Sequence, residues 1–248
     1  MDSASKTVTL IGCHTSSRIR VECLKRNLSH FSKLSKEIYI TNSTEFKGKI
    51  EASIDPNEFE AKVYIDYQEN SNLLCHDKWY KKIKQLELDK YEGFILTNDS
   101  FLIINSLQNF QNLYTNKPKD LTGICDSYQL KYHLPDFLRH YSKKGLIKWV
   151  DYFEKTKGDC SSFQDMIDFM EVNSSEIFSS KQALYQNSTT WPDNPHYKHQ
   201  QILDICESVN YPTVKIKMLE SQMKCKKQKK ELMQKLPQLN FLEKNNIT

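Results

Sequence analysis

The tetrapeptide Thr97-Asn98-Asp99-Ser100 interrupts an apolar run that starts at Gly93 and resumes at Phe101, setting one carboxylate among three small polar side chains. Oxygen donors of this kind suit Mg2+ or Mn2+, which keep several waters and take one or two carboxylates from a protein. The same residues also suit an Asx-type turn in which Asp99 caps the next backbone segment. A second carboxylate, Asp126, ends the run LTGIC beside Ser127 and Tyr128. It reads either as a helix N-cap or as a base that takes the proton of a hydroxyl. His14, within Cys13-His14-Thr15-Ser16-Ser17, and the pair Asn42-Ser43 each follow a further apolar run. Arg18 and Arg20 open a helical pattern behind His14, where they either meet a phosphate at the helix N-terminus or are simply solvated.

These residues need elements to hold them. Residues 8–12, 37–41, 61–67, 93–96 and 121–125 read as strands, each ending in polar residues. Residues 19–31 and 77–88 carry apolar side chains at helical spacing, and residues 137–143 read as a strand that is antiparallel or at the sheet edge. From Leu146 onward LIKWVDYFEK, SSFQDMIDFM and SEIFSSKQALYQ follow the helical period; 199–209 is another helix and 212–218 a last strand. The alternation predicts an α/β fold, a Rossmann-like and mainly parallel sheet flanked by helices, with a helical carboxyl-terminal annex. Ligands of such sheets bind beyond the carboxyl ends of the strands. That gathers His14, Asn42, Asn70 and Asp99 at one rim.

The chain has 248 residues, 38% hydrophobic and 27% charged, enough for a real core. Its net charge of +4 sits largely in one late segment, so no basic stripe runs through it and nucleic acid is not an expected partner. Seven cysteines without a C-x-x-C pair form neither a disulfide framework nor a zinc ribbon, and read as thiols of a reducing compartment. No apolar run is long enough to span a membrane, and the first fourteen residues lack the pattern of a secretory signal, so a cytoplasmic location is expected. The first loop lacks G-x-G-x-x-G, which disfavours a dinucleotide-binding dehydrogenase.

Three stretches in order resemble the rhamnan-synthesis F-type glycosyltransferases, nucleotide-sugar-dependent enzymes of the GT-A fold. YEGFILTNDSFLI resembles that family's strand ending in Asn-Asp-Ser. TGICDSYQLKYHLPDFLRHYSKKGLIKWVDYFEK resembles its Gly-x-x-Asp/Glu-Ser-Tyr-x-x-x-Tyr-His-Leu block, and NPHYKHQQILDICESVNYPTVKIKML its Asn-Pro…Pro-x-x-Lys closing segment. The likeness covers most of residues 7–220. It implies a GT-A-like domain over residues 1–220 and a lysine-rich helix or tail over 221–248. It implies transfer of a sugar, such as the deoxysugar rhamnose, from a nucleotide diphosphate to a glycan or lipid-linked glycan hydroxyl. By that resemblance, with Mn2+ or Mg2+ as cofactor, Asp99 and His196 are the metal ligands and Asp126 is the base. His14, Arg18, Asn42, Ser43, Asn72, Asn98 and Asp99 hold the donor, with Asn70 and Asp77 loosely echoing the family in the same stretch. His133 and Trp191 meet the acceptor. One departure stands out: Thr97 occupies the place two before Asp99 where many GT-A enzymes carry an aspartate.

Two rival readings follow from the same residues. The missing second aspartate fits a GT-A-derived module that binds sugar nucleotides or glycans without turning them over. The lysines of residues 224–230, with Met223, Leu232, Met233 and Leu236, fit an amphipathic helix on an anionic membrane or a lysine-tail adaptor; a solvated terminal helix is the plainer alternative.

Overall fold

The computed structural model describes residues 6–128, 131–186, 210–223 and 226–244. In chain order the elements are β1 (Thr7–Gly12), α1 (Arg18–Phe31), β2 (Glu37–Ser43), α2 (Lys47–Glu51), β3 (Lys62–Gln68), α3 (Leu74–Ile83), β4 (Gly93–Asn98), β5 (Phe101–Ile103), α4 (Gln108–Asn116), β6 (Leu121–Cys125), β7 (Leu138–Ser142), α5 (Lys143–Thr156) and α6 (Phe163–Met166). A π-helical stretch, Ile167–Asn173, leads into α7 (Ser174–Glu176) and β8 (Lys181–Tyr185). After β9 (Thr213–Lys215) come α8 (Ile216–Met223), α9 (Lys226–Lys235) and α10 (Phe241–Lys244).

Among the described residues, seven strands form one sheet in the order β3-β2-β1-β4-β7-β6-β8, and β5 pairs with β9 in a small second sheet. Strand β7 runs antiparallel to both β4 and β6. Two reversals leave β6 parallel to β4, so the carboxyl ends of β1, β2, β3, β4 and β6 share one rim. The first residues of β7 start from that same rim, since Thr97 pairs with Leu138 and Gly123 with Arg139.

Strands covered on both faces read as continuous apolar runs, and β1 accordingly is buried at all six positions. One face carries α1, whose Ile19, Cys23, Leu24, Leu28 and Phe31 point into the core; the Ser17 side chain accepts from the Arg20 N–H at 3.4 Å and caps it. Leu232, Leu236, Leu239 and Leu242 are buried in that same cluster, and the Arg26 guanidinium lies 3.5 Å over the Phe241 ring. The other face packs Trp79 of α3 against Trp149 of α5, with Leu10, Phe94 and Tyr141 from the sheet.

Helix α3 ends at Ile83 where the sequence reading runs to Leu88, α4 is not among the expected elements, and three further departures concern strands. Lys181–Tyr185 is a strand parallel to β6, although Gln182, Ala183 and Leu184 are helix formers. An open ladder edge on β6 decides it, because pairing outweighs a few tenths of a kcal/mol of intrinsic preference. The strand expected over 212–218 ends at Lys215, where its partner β5 runs out, and the chain continues as α8. Strand β7 is antiparallel, as one alternative had it, but central rather than at an edge. The helix expected over 199–209 lies outside the described residues.

Candidate functional site at the carboxyl rim of the sheet

Asp99 lies just past β4 and is 4% exposed. Its Oδ1 accepts the His14 backbone N–H at 3.2 Å, and its Oδ2 accepts the Thr15 hydroxyl at 3.0 Å. The Arg20 guanidinium stands 3.7 Å from Oδ2. The carboxylate therefore ties the β1–α1 loop to the end of β4. The Asx turn belongs to its neighbour: Asn98 Oδ1 accepts both the Ser100 N–H at 3.0 Å and the Ser100 hydroxyl at 2.6 Å.

The β1–α1 loop is held from β2 as well. Asn42 Oδ1 accepts the Thr15 N–H at 3.1 Å, while Asn42 Nδ2 is buried without a partner. His14 Nδ1 is 3.0 Å from the Ser43 hydroxyl, and the ring edge meets Phe46. Lys78 of α3, 1% exposed, donates to the Cys13 carbonyl at 2.5 Å and to Ser43 Oγ at 2.7 Å. Burial pushes its pKa down against the opposing pull of Cys13, Cys75 and Asp99. Beside it, an open cleft of about 320 Å3 is lined by Thr41, Gln68, Lys78, Lys81 and Lys82, among others. Two of these lysines are already paired, Lys81 with Asp77 at 2.9 Å and Lys82 with Asp66.

Across β4 the rim changes character. Lys215, at the end of β9, donates to Ser100 Oγ at 3.1 Å and sits 4.7 Å over the Phe137 ring. Burial lowers its pKa, while Asp136 and Glu171 oppose that shift. An ammonium carries three donors, and among the described residues this one makes a single hydrogen bond. Asp136 is carried by the turn before β7. Arg139, 1% exposed, holds that turn by donating to the carbonyls of Leu134, Pro135 and Glu171 and to Ser174 Oγ. Asp126 is 2% exposed and its N–H donates to the Tyr185 carbonyl at 3.2 Å. Ser127 and His133 exchange two backbone hydrogen bonds of 2.9 Å. His133 Nδ1 meets the Lys131 carbonyl at 2.8 Å and its Nε2 is 3.8 Å from Glu171. Tyr128, 46% exposed, packs on Tyr132.

Of the residues singled out from sequence, His14, Asn42, Ser43, Asn98 and Asp99 come together, and Asp126 with His133 occupies the same rim on the far side of β4. Arg18 is exposed, and Arg20, one helical step inward, is the arginine that meets Asp99. Asn70 and Asn72 are exposed in the loop before α3. Asp77 accepts from Gln68, Ser71 and Lys81 and pins that loop. Trp191 and His196 lie outside the described residues. Sequence reasoning passed over Lys78, Asp136, Arg139 and Lys215 as site residues. Arg139 did carry a signal, an arginine within an apolar strand, which is buried only when fully paired.

Among the described residues, the donor set around Asp99 does not fit a hard divalent cation. It offers one carboxylate, its two oxygens already serve a backbone N–H and a hydroxyl, and a guanidinium stands where a cation would be repelled.

No family model matches the chain, and no curated protein matches its sequence. In fold it is similar to solved structures of nucleotide-handling transferases. With the inositol-1-phosphate CTP transferase from T. maritima it shares 9% identity over 85% of this chain and 98% of the other, at a TM-score of 0.52. With the 4-diphosphocytidyl-2C-methyl-D-erythritol synthase from Anaerococcus prevotii it shares 8% identity over 84% and 97%, at a TM-score of 0.50. The mixed α/β architecture with its mostly parallel seven-stranded sheet is thus shared with these two structures.

Proposed function

We propose that the chain transfers a glycosyl group from a nucleotide-diphosphate sugar, a deoxysugar such as rhamnose, to a hydroxyl of a glycan or lipid-linked glycan. The donor lies along the rim formed by His14, Asn42, Ser43 and the 320 Å3 cleft beside Lys78. The negative charge that gathers on the leaving diphosphate is met by Lys215 and Arg20, preorganised cations on a partly desolvated rim. Asp126, at the end of β6, takes the proton from the acceptor hydroxyl. The Tyr128–Tyr132 ring pair offers the acceptor a surface on which a sugar can stack. No step runs through a metal at Asp99.

A nucleotidyl transfer, as the names of the two solved relatives describe for those proteins, is the second reading. One observation favours glycosyl transfer. A triphosphate cradle uses free backbone N–H groups at the first loop, and here the His14 and Thr15 N–H groups are already given to Asp99 and Asn42. The same observation weakens the rival of a pure adaptor, for which a rim so heavily cross-braced has no use.

Thermal-shift measurements with UDP-, GDP- and dTDP-sugars, with and without Mn2+, followed by assay of released nucleoside diphosphate, test the proposal. Stabilisation by one donor with release of its diphosphate is the expected result. Pyrophosphate release from a nucleoside triphosphate and a sugar phosphate replaces it with nucleotidyl transfer; stabilisation without any release replaces it with a binding module. Within the proposal, Asp126→Asn abolishes transfer and leaves donor binding within about twofold, the signature of a group needed only in the transition state.

A further inference from the structure

We infer that Cys75, His76 and Asp136 form a binding site for a transition metal of zinc-like preference, set between the first turn of α3 and the turn before β7 and separate from Asp99. One ligand atom from each residue lies within 4.8 Å of the other two. A thiolate, an imidazole and a carboxylate are the donor types that Zn2+ takes, and three protein ligands leave a fourth position open.

The imidazole carries the argument. His76 is 1% exposed, and its Nδ1 faces the Leu73 carbonyl at 3.2 Å, with Cys75 Sγ 3.9 Å from the same nitrogen. A carbonyl only accepts, so the ring proton sits on Nδ1 and Nε2 is left to bind something else, the arrangement that orients metal-ligating histidines. Nε2 stands 2.9 Å from Asp136 Oδ2, yet it is a buried nitrogen without an aligned hydrogen bond. Two lone pairs held that close repel unless a cation lies between them, a proton or a metal ion.

Two features of the chain set the third ligand beside them. Leu74 has φ of 49°, a left-handed conformation costly for a leucine. It starts α3 so that Cys75 and His76 turn together toward Asp136. Cys75 in turn lies so close to the end of β1 that a Cβ on Gly12 would come within 2.7 Å of its Cβ. Arg139 fixes the third ligand from below by holding the Leu134 and Pro135 carbonyls. Cys75 is half-buried and the Asp136 side chain is 15% exposed, so a cation has a way in. Tetrahedral Zn2+ spaces its ligand atoms by about 3.3–3.5 Å, so binding would open the Nε2–Oδ2 pair, now 2.9 Å apart, by a few tenths of an ångström.

This inference does not rest on glycosyl transfer, and its test reads the metal directly. The full chain is freed of metal under reducing conditions and titrated with Co2+, then with Zn2+. Expected are one equivalent bound, a thiolate-to-cobalt charge-transfer band, and displacement of cobalt by zinc. X-ray absorption of the zinc-loaded wild-type chain should show one sulfur at about 2.3 Å and nitrogen or oxygen neighbours at about 2.0–2.1 Å, a measurement that needs no variant. Cys75→Ser should lose the band, and His76→Ala and Asp136→Asn should weaken zinc binding by at least about 100-fold, the upper end for loss of an outer-shell partner. Absence of any band, a band that survives in Cys75→Ser, or a zinc shell without sulfur overturns the site and leaves an imidazolium–carboxylate pair in its place.

Discussion

The two halves of the rim, divided by β4, use the same residue types to opposite ends. On the β1–β2 side, Asp99, Ser43 and Lys78 spend their polar atoms on one another and on residues 13–15, and Asn42 adds its Oδ1, with only its Nδ2 left over. On the β6–β7 side, Lys215 makes one hydrogen bond among the described residues, and His76 keeps there a buried nitrogen without an aligned partner. A polar group whose valences are filled by the fold contributes rigidity; one left with a valence unfilled in a desolvated place is costly to the fold and is retained for what it binds. The first half is thus a brace that shapes the loop along which the donor is proposed to lie, and the second half adds the cation proposed to meet the donor's diphosphate.

The largest effect that can break this comparison is on stability. Asp99→Ala removes the acceptor of the His14 N–H and the Thr15 hydroxyl and leaves Arg20 beside them without its anion. Losing one side of a buried charged pair costs about 3 kcal/mol, read as a fall in the urea midpoint at unchanged slope. Lys215→Met should instead cost less than about 1 kcal/mol, because a half-buried ammonium with one neutral partner gives way to an apolar chain over Phe137. That variant should lose the stabilisation by nucleotide sugars that the wild type shows. If Asp99→Ala is harmless and Lys215→Met unfolds the chain, brace and binding side have been assigned the wrong way round.

The two sides also differ in how much the sequence disclosed. Asp99, His14, Asn42 and Ser43 were legible because each follows an apolar strand of a parallel sheet, and that topology alone brings strand ends together. Lys78 and Lys215 were not. Lys78 falls at helical spacing among Lys81, Lys82 and Lys84, and nothing local separates a lysine driven under β1 from its solvated neighbours. Lys215 reaches the rim only because β9 pairs with β5, residues 115 positions apart at Ser100 and Lys215. The strand Lys181–Tyr185 was hidden for a similar reason: its conformation is set by the bare edge of β6, not by its own composition. Asp136 has no periodic context at all, and its meeting with His76 is a product of the antiparallel turn into β7.

A middle-sized effect separates the pH dependence of stability from that of the rim. His140 of β7 is buried below the rim, stacked on Tyr114 at 3.8 Å and close beneath Gly93. Burial pushes its pKa down to about 3 from the ordinary 6.5. As pH falls, the unfolded chain takes up this proton first. The stability tied to the neutral ring is therefore whole above pH 6.5 and is lost progressively as pH drops toward 3. At pH 5 the loss amounts to about 2 kcal/mol. His140→Phe keeps the ring stack and removes the titration, so the difference in unfolding free energy between pH 7.5 and pH 5 should shrink by about that amount. An unchanged difference would move the acid sensitivity to the carboxylates of the rim.

The smallest effect concerns the lysines of α9, which lie outside both halves. Leu232, Leu236 and Leu239 are buried in the core that α1 covers, so the apolar face that an amphipathic membrane helix would dip into lipid is already occupied. No helix among the described residues is long and apolar enough to cross a membrane. What remains for an anionic surface is charge alone, worth about 1 kcal/mol for each lysine near it. Lys230, exposed on α9, can be replaced without touching the core. Lys230→Gln should weaken binding to vesicles containing phosphatidylserine about 5-fold, steeply reduced by salt in both proteins, and should shift stability by less than about 0.5 kcal/mol. A vesicle affinity that ignores both the substitution and the salt would mean that apolar insertion drives the contact, and that α9 must leave the core to make it.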